Sequence, residues 1–139
     1  IISYIYSNFD IYATFGSMVN EKWQYNKWAN FDRKNHNFFP HLRTVYAFLC
    51  KSVPMNYLKY DEKEWFKFKT DVALFTSIAE LCRNKHAFIR YELVYYNRYN
   101  CMNNPNTGYK CPDKTQEQEK KRELYKDYIA GLKKLEPII

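Results

Sequence analysis

Glycine is nearly absent from this chain: Gly16, Gly108 and Gly131 are the only three in 139 residues. That scarcity leaves little provision for the phosphate-cradling loops and tight strand turns of nucleotide-binding and sandwich folds. Histidine is just as scarce. His36, His41 and His86 stand in no HExxH, Cys-x-x-Cys-His or other metal-building spacing, so no metal and no cofactor is expected. A nucleophile elbow is missing too, and carboxylates such as Asp61 and Glu62 are adjacent where acid–base chemistry needs them to face one another. No catalytic residue is assigned, and an enzyme is not expected. The chain holds no Asn-x-Ser/Thr sequon. Nor does any uncharged run reach the length of a membrane span. The nearest, residues 1 to 20, carries only Asp10 as a charge, but Ser3, Ser7, Asn8 and Thr14 make it an amphipathic helix rather than a span.

What is present is positive charge and aromatic surface. Lys and Arg number 22 against 15 Asp and Glu, a net charge of +7, with an isoelectric point near 9.1 and a mean hydropathy of -0.67. Such a balance favours an anionic partner: a membrane surface, an acidic glycan or a nucleic acid. Fourteen Tyr and ten Phe, residues that serve association surfaces, raise the aromatic share to 19%. No RNA- or DNA-binding motif accompanies them, so a nucleic acid is not the expected partner.

Hydrophobic periodicity predicts helices throughout. Ile5, Phe9, Tyr12, Phe15, Val19 and Trp23 recur at spacings of three and four and predict a first helix from near Ser3 to Trp28. A polar connector, residues 30 to 43, leads to a second helix carried by Leu42, Val45, Tyr46, Leu49 and Val53 and ended by Pro54. From Asp61 to Asn100 there is neither Pro nor Gly. There Trp65, Phe68, Val72, Phe75, Ala79, Cys82, His86, Ile89, Leu93 and Tyr96 form one 3-4 seam, with a bend or break expected near Asn84 and Lys85. Thr115-Gln116-Glu117-Gln118 reads as a capping box opening a last helix, buried along Leu124, Tyr128, Leu132 and Leu135. The expected fold is all-α: residues 1 to 139 as a single helical domain, a closed bundle of four or five amphipathic helices with a disulfide-stapled loop.

The staple rests on Cys50, Cys82, Cys101 and Cys111, an even number in a chain read as secreted. Cys101 with Cys111 and Cys50 with Cys82 is the preferred one of three connectivities. Four reduced core thiols are the alternative.

The segment FIRYELVYYNRY, residues 88 to 99, holds eight large apolar side chains in twelve positions. On a helix, Phe88, Tyr91, Tyr95 and Tyr99 form a second stripe beside the seam, either buried at the centre of the bundle or exposed to a membrane, a partner or a second copy in a homodimer. Arg90 and Arg98 flank it and suit acidic headgroups or tyrosine faces. Further basic surface is assigned to Arg33 and Lys34 in the connector and to Lys120, Lys121, Arg122 and Lys126 on the last helix.

At the C-terminus Tyr125, Tyr128, Ile129, Leu132, Lys134, Leu135 and Pro137 follow the order Y-x-x-Y-aliphatic-x-x-aliphatic-x-basic-aliphatic-x-P. With Lys27-Trp28 and the TVYAF of residues 44 to 48, this pattern resembles abalone sperm lysin and its fusagenic acrosomal sister protein, the latter more closely. The resemblance implies a secreted protein of the sperm acrosomal vesicle that acts without covalent catalysis. It would bind an anionic membrane or an egg-surface component, and its basic and aromatic amphipathic surface would perturb the bilayer to promote sperm–egg fusion. The alternative is a secreted helical binding module, such as a parasite surface antigen or a cytokine-like ligand, recognising a protein receptor.

Overall fold

A central strand organises the molecule where the first long helix is expected. The computed structural model describes residues 1–19, 24–25, 33–35, 41–95 and 115–139. Helix α1 covers only Ile2–Asn8 and stops at Phe9, whose backbone is extended. Strand β1, Ala13–Val19, follows, buried along nearly its whole length. A strand covered on both faces reads as a continuous apolar run. In a stretch this rich in apolar residues, a helical template finds matches by chance. Gly16 is required here, since a β-carbon would lie 2.5 Å from the Leu42 amide nitrogen and 2.7 Å from the His41 carbonyl oxygen.

β1 has partners on both edges. Strand β2, Gln24–Tyr25, and strand β3, Arg43–Val45, pair antiparallel with different halves of β1 and so share one edge. The other edge belongs to the long strand His86–Tyr95, which runs parallel to β1. The expected second helix thus begins late: residues 43 to 45 join the sheet, and only Ala47–Ser52 wind into helix α2. Strands β4, Lys59–Tyr60, and β5, Glu64–Trp65, make a separate small hairpin.

The long seam breaks where a break is expected, but a strand lies beyond it. Helix α3 spans Thr70–Leu81. Arg83 then takes a left-handed backbone (φ 47°), and the Lys85 amide donates to the Cys82 carbonyl, turning the chain into β6, His86–Tyr95. This stretch is dense in aromatic and branched side chains, which suit a pleated surface. Beside β1 it adds a lane to the sheet instead of turns to a helix. Helix α4, Gln116–Gly131, opens at Thr115, whose hydroxyl accepts from the Gln118 amide. Its buried residues are Tyr125 and Ile129, while Leu124 is exposed.

The all-α bundle is therefore corrected to a mixed α/β fold, with four helices and two sheets among the described residues. The expected Cys50–Cys82 pairing is corrected as well. Cys50 and Cys82 are free thiols that meet in one core cluster with Ala13, Phe15, Leu49 and Ile78, and Cys101 and Cys111 lie outside the described residues. A second cluster, Phe66, Ala73, Tyr125 and Ile129, seats α4.

One polar device joins these parts. Arg33, expected on the basic surface, is buried and forms a two-pronged ion pair with Glu80 at the end of α3. Its remaining Nη1 donates to the Ile129 carbonyl at 3.1 Å. Glu80 also accepts from the Leu135 amide at 3.0 Å, and the Tyr57 hydroxyl donates to the Lys133 carbonyl at 2.7 Å. The segment after α4 is thereby strapped across the C-terminal end of α3, where the Ile138 amide donates to the Leu81 carbonyl.

Candidate functional site

An aromatic cluster at the surface is assembled around the start of β1. α1 contributes no buried residue. It stands on the sheet through Tyr6, whose hydroxyl lies 2.9 Å from Thr44 Oγ1, itself 2.6 Å from Thr14 Oγ1. Burial pushes the Tyr6 hydroxyl above the usual phenol range, so it stays protonated and able to donate. The Tyr6 ring meets Tyr46 edge-on at 5.1 Å, and Tyr46 in turn meets Tyr12 at 5.6 Å and stacks on Phe48 at 6.2 Å. Tyr12 contacts Phe48 at 5.9 Å, and Tyr4 packs on Phe9 at 6.1 Å.

Tyr6, Tyr12, Tyr46 and Phe48 thus form one connected group between α1 and α2, and Tyr4 with Phe9 forms a second pair on α1 and its C-cap. They remain wet: Tyr4 is 63% exposed, Phe9 55%, Tyr46 44% and Phe48 41%. With roughly 150–250 Å² to each aromatic side chain, each exposed pair, Tyr46 with Phe48 and Tyr4 with Phe9, leaves an apolar area on the order of 200 Å² in water. Cations frame the face. Exposed Lys51 lies about one helical turn beyond Phe48. Lys85 Nζ sits 5.5 Å from the Tyr12 ring centre and 2.8 Å from the Asp10 carboxylate. Hydrogen bonding from Lys85 holds the Asp10 carboxyl below its usual range, and the same bond raises Lys85.

The residues read from sequence fall elsewhere. Tyr91, Tyr95 and Arg90 are exposed on β6 and Phe88 is half-buried there, so the expected helical stripe does not form. Tyr99 and Arg98 lie outside the described residues. Of the basic residues, Lys34 and Lys120 are exposed. Lys121 lies 3.5 Å from Glu64, Lys126 pairs with Glu123 at 3.1 Å, and Arg122 stacks over Phe68 at 4.9 Å. α4 therefore presents mixed, largely neutralised charge rather than a cationic track.

One pair invites a catalytic reading: Cys82 Sγ and His86 Nδ1 are 3.9 Å apart. A nucleophilic thiol needs its thiolate near neutral pH. Here burial pushes the Cys82 thiol up to about 11 and pulls His86 below the ordinary imidazole value. Both groups are neutral at pH 7, which suits their packing beside Phe15 and does not suit nucleophilic attack. Among the described residues no group of His, Cys, Asp and Glu could hold a metal ion, and no helix is long and apolar enough to cross a membrane.

Comparison of the chain with protein-family models, with curated proteins and with solved structures finds no match. By fold and surface the chain is a mixed α/β protein with an exposed aromatic face framed by lysines. Sequence reasoning misses this face because Tyr6, Tyr12, Tyr46 and Phe48 lie in separate segments that the pairing of β1 with β3 and the contact of Tyr6 with Thr44 bring together. Recognising residues 13 to 19 as a strand is the signal that could have found it.

Proposed function

We propose that this protein is a non-enzymatic, peripheral membrane-binding protein that lays its α1–α2 aromatic face on an anionic bilayer. The observation that carries the reading is the two exposed ring pairs, Tyr46 with Phe48 and Tyr4 with Phe9, at a helix α1 that buries nothing of its own. Tyrosine and phenylalanine suit the boundary between headgroups and acyl chains, because their rings accept apolar surroundings while the phenol keeps a polar partner. A net charge of +7 supplies long-range attraction to such a surface, and Lys51 lies beside the rings to meet headgroups. Shallow insertion needs no span: a short amphipathic helix lies in the interfacial plane.

The contact residues differ from those expected on sequence, and so does the scope. The acrosomal role follows from a resemblance alone, and the all-α bundle expected beside it is not the observed fold. Membrane contact alone is therefore assigned.

Flotation with vesicles tests it. The protein should rise with phosphatidylserine-containing vesicles, less so with phosphatidylcholine alone, and release as salt increases. Phe9→Ser with Tyr46→Ser and Phe48→Ser should weaken binding at least about tenfold, whereas Leu124→Ser on α4, at a side chain also exposed, should leave it unchanged. Equal binding by the α1–α2 variant and the parent protein would overturn the assignment.

A further inference from the structure

The β6 edge carries a second kind of surface, independent of the aromatic face. β1 occupies one side of β6, and among the described residues no strand pairs with the other. The pairing with β1 is irregular. Six steps along β6, from Phe88 to Val94, are set against three along β1, from Phe15 to Met18, and Arg90 and Tyr91 have no partner residue on β1. Bulged residues stand away from the ladder. Here Arg90, Tyr91, Glu92 and Leu93 are exposed in succession, Tyr91 at 68%.

The sequence of this edge is self-complementary about Tyr91. An antiparallel pairing of two copies with Tyr91 on the two-fold axis sets Arg90 across from Glu92, Ile89 across from Leu93 and Phe88 across from Val94. At each step charge meets opposite charge or apolar meets apolar, and two-fold symmetry makes every such contact occur twice. Neighbouring registers fail. Centring on Arg90 or on Glu92 places like charges face to face, and centring between Tyr91 and either neighbour leaves each charge opposite an uncharged residue. Neither Arg90 nor Glu92 has an ion-pair partner among the described residues, so both charges are available.

We infer that β6 is a homodimerisation edge: a second copy of this chain pairs antiparallel with it, in the register fixed by reciprocal Arg90–Glu92 ion pairs around Tyr91. The bulge disfavours an ordinary flat strand, whereas symmetry places the irregular stretch of each copy against the same stretch of the other. β6 lies on the edge of β1 opposite β3, so the pairing leaves the α1–α2 face open.

Sedimentation equilibrium of the full chain over about 1 to 500 µM reads the dimer constant directly. The parent protein should dimerise within this range. Arg90→Glu and Glu92→Arg should each weaken the dimer by about tenfold or more, and the charge swap carrying both should recover to within about threefold of the parent. A parent protein that stays monomeric throughout overturns the inference, as do single variants that dimerise unchanged or a swap that fails to recover. Register has its own readout, since these positions are exposed and the variants are expected to fold. Tyr91→Cys should give a disulfide-linked pair of copies under mild oxidation, while Lys120→Cys on α4 should not. A dimer that the Tyr91→Cys variant fails to cross-link overturns the register.

Discussion

Arg33 and Glu80 hold opposite charges in the interior, while Tyr4, Phe9, Tyr46 and Phe48 stand in water. The two regions invert the usual partition of polar and apolar groups, and they do so for different reasons. Every side-chain nitrogen of Arg33 has an acceptor, and both Glu80 oxygens are engaged, so the buried charges are compensated as a structural clamp on three segments. The aromatic face has no such internal explanation. Its rings contact each other in two groups but cover little of the core, so folding alone does not account for their exposure. Function is therefore to be sought in the second region: a buried polar group that is fully satisfied explains itself, and an exposed apolar group that is well packed does not.

Breaking the clamp should have the largest effect. Glu80→Gln leaves the Arg33 charge buried with a weakened partner and should destabilise the fold by about 3–5 kcal/mol in urea denaturation. Arg33→Met with Glu80→Leu should cost less than the single change, because no unpaired charge remains. A double variant less stable than Glu80→Gln would mean that the clamp contributes net stability beyond charge compensation. Next in size is Gly16→Ala. Its β-carbon meets backbone atoms of His41 and Leu42, which cannot yield as a flexible side chain can, and a loss of about 1–3 kcal/mol is expected by the same measurement.

The parts of the molecule are not equally legible in the sequence. Thr115 as a helix cap, and a break near Asn84, follow from local rules and correspond to the N-cap hydrogen bond and the turn at Arg83. The sheet does not follow, because a strand buried on both faces has no alternation to betray it and β1 is such a strand. In β6 the 3-4 spacing is fortuitous, since Ile89 is buried but Leu93, the next position of the seam, is exposed. Arg33 reads as surface because an isolated Arg in a polar connector usually is; its partner lies 47 residues away and is invisible to any local window. The aromatic face escapes for the same cause, being made by strand pairing rather than by periodicity.

Changes to the face should separate it from the clamp by being small in stability. Phe48→Ser removes a ring that is already 41% exposed, so unfolding free energy should fall by less than about 1 kcal/mol. Combined with Phe9→Ser and Tyr46→Ser, the same change is expected to remove most vesicle binding. A large loss of stability with Phe48→Ser alone would place that ring with the core and erase the contrast.

The smallest effect is electrostatic and sits where the face meets β6. Lys85 donates to Asp10 at 2.8 Å, which lowers the Asp10 pKa from its ordinary 3.8 and raises that of Lys85 from 10.5. A depressed carboxyl stabilises the folded state above its unfolded value, and that contribution is lost as pH falls through the folded one. The raised ammonium acts oppositely: its contribution is complete below 10.5 and lost as pH rises through the folded value. The pair is thus intact between the carboxylate and ammonium ranges. Carbon-13 NMR of the Asp10 carboxyl should show a midpoint below 3.8, and a midpoint at or above it would remove the pair from the account. Asp10→Asn frees Lys85 for a headgroup, so affinity for anionic vesicles should rise by up to about fivefold. That gain should disappear at high salt, because an exposed charge is screened there while ring insertion is not.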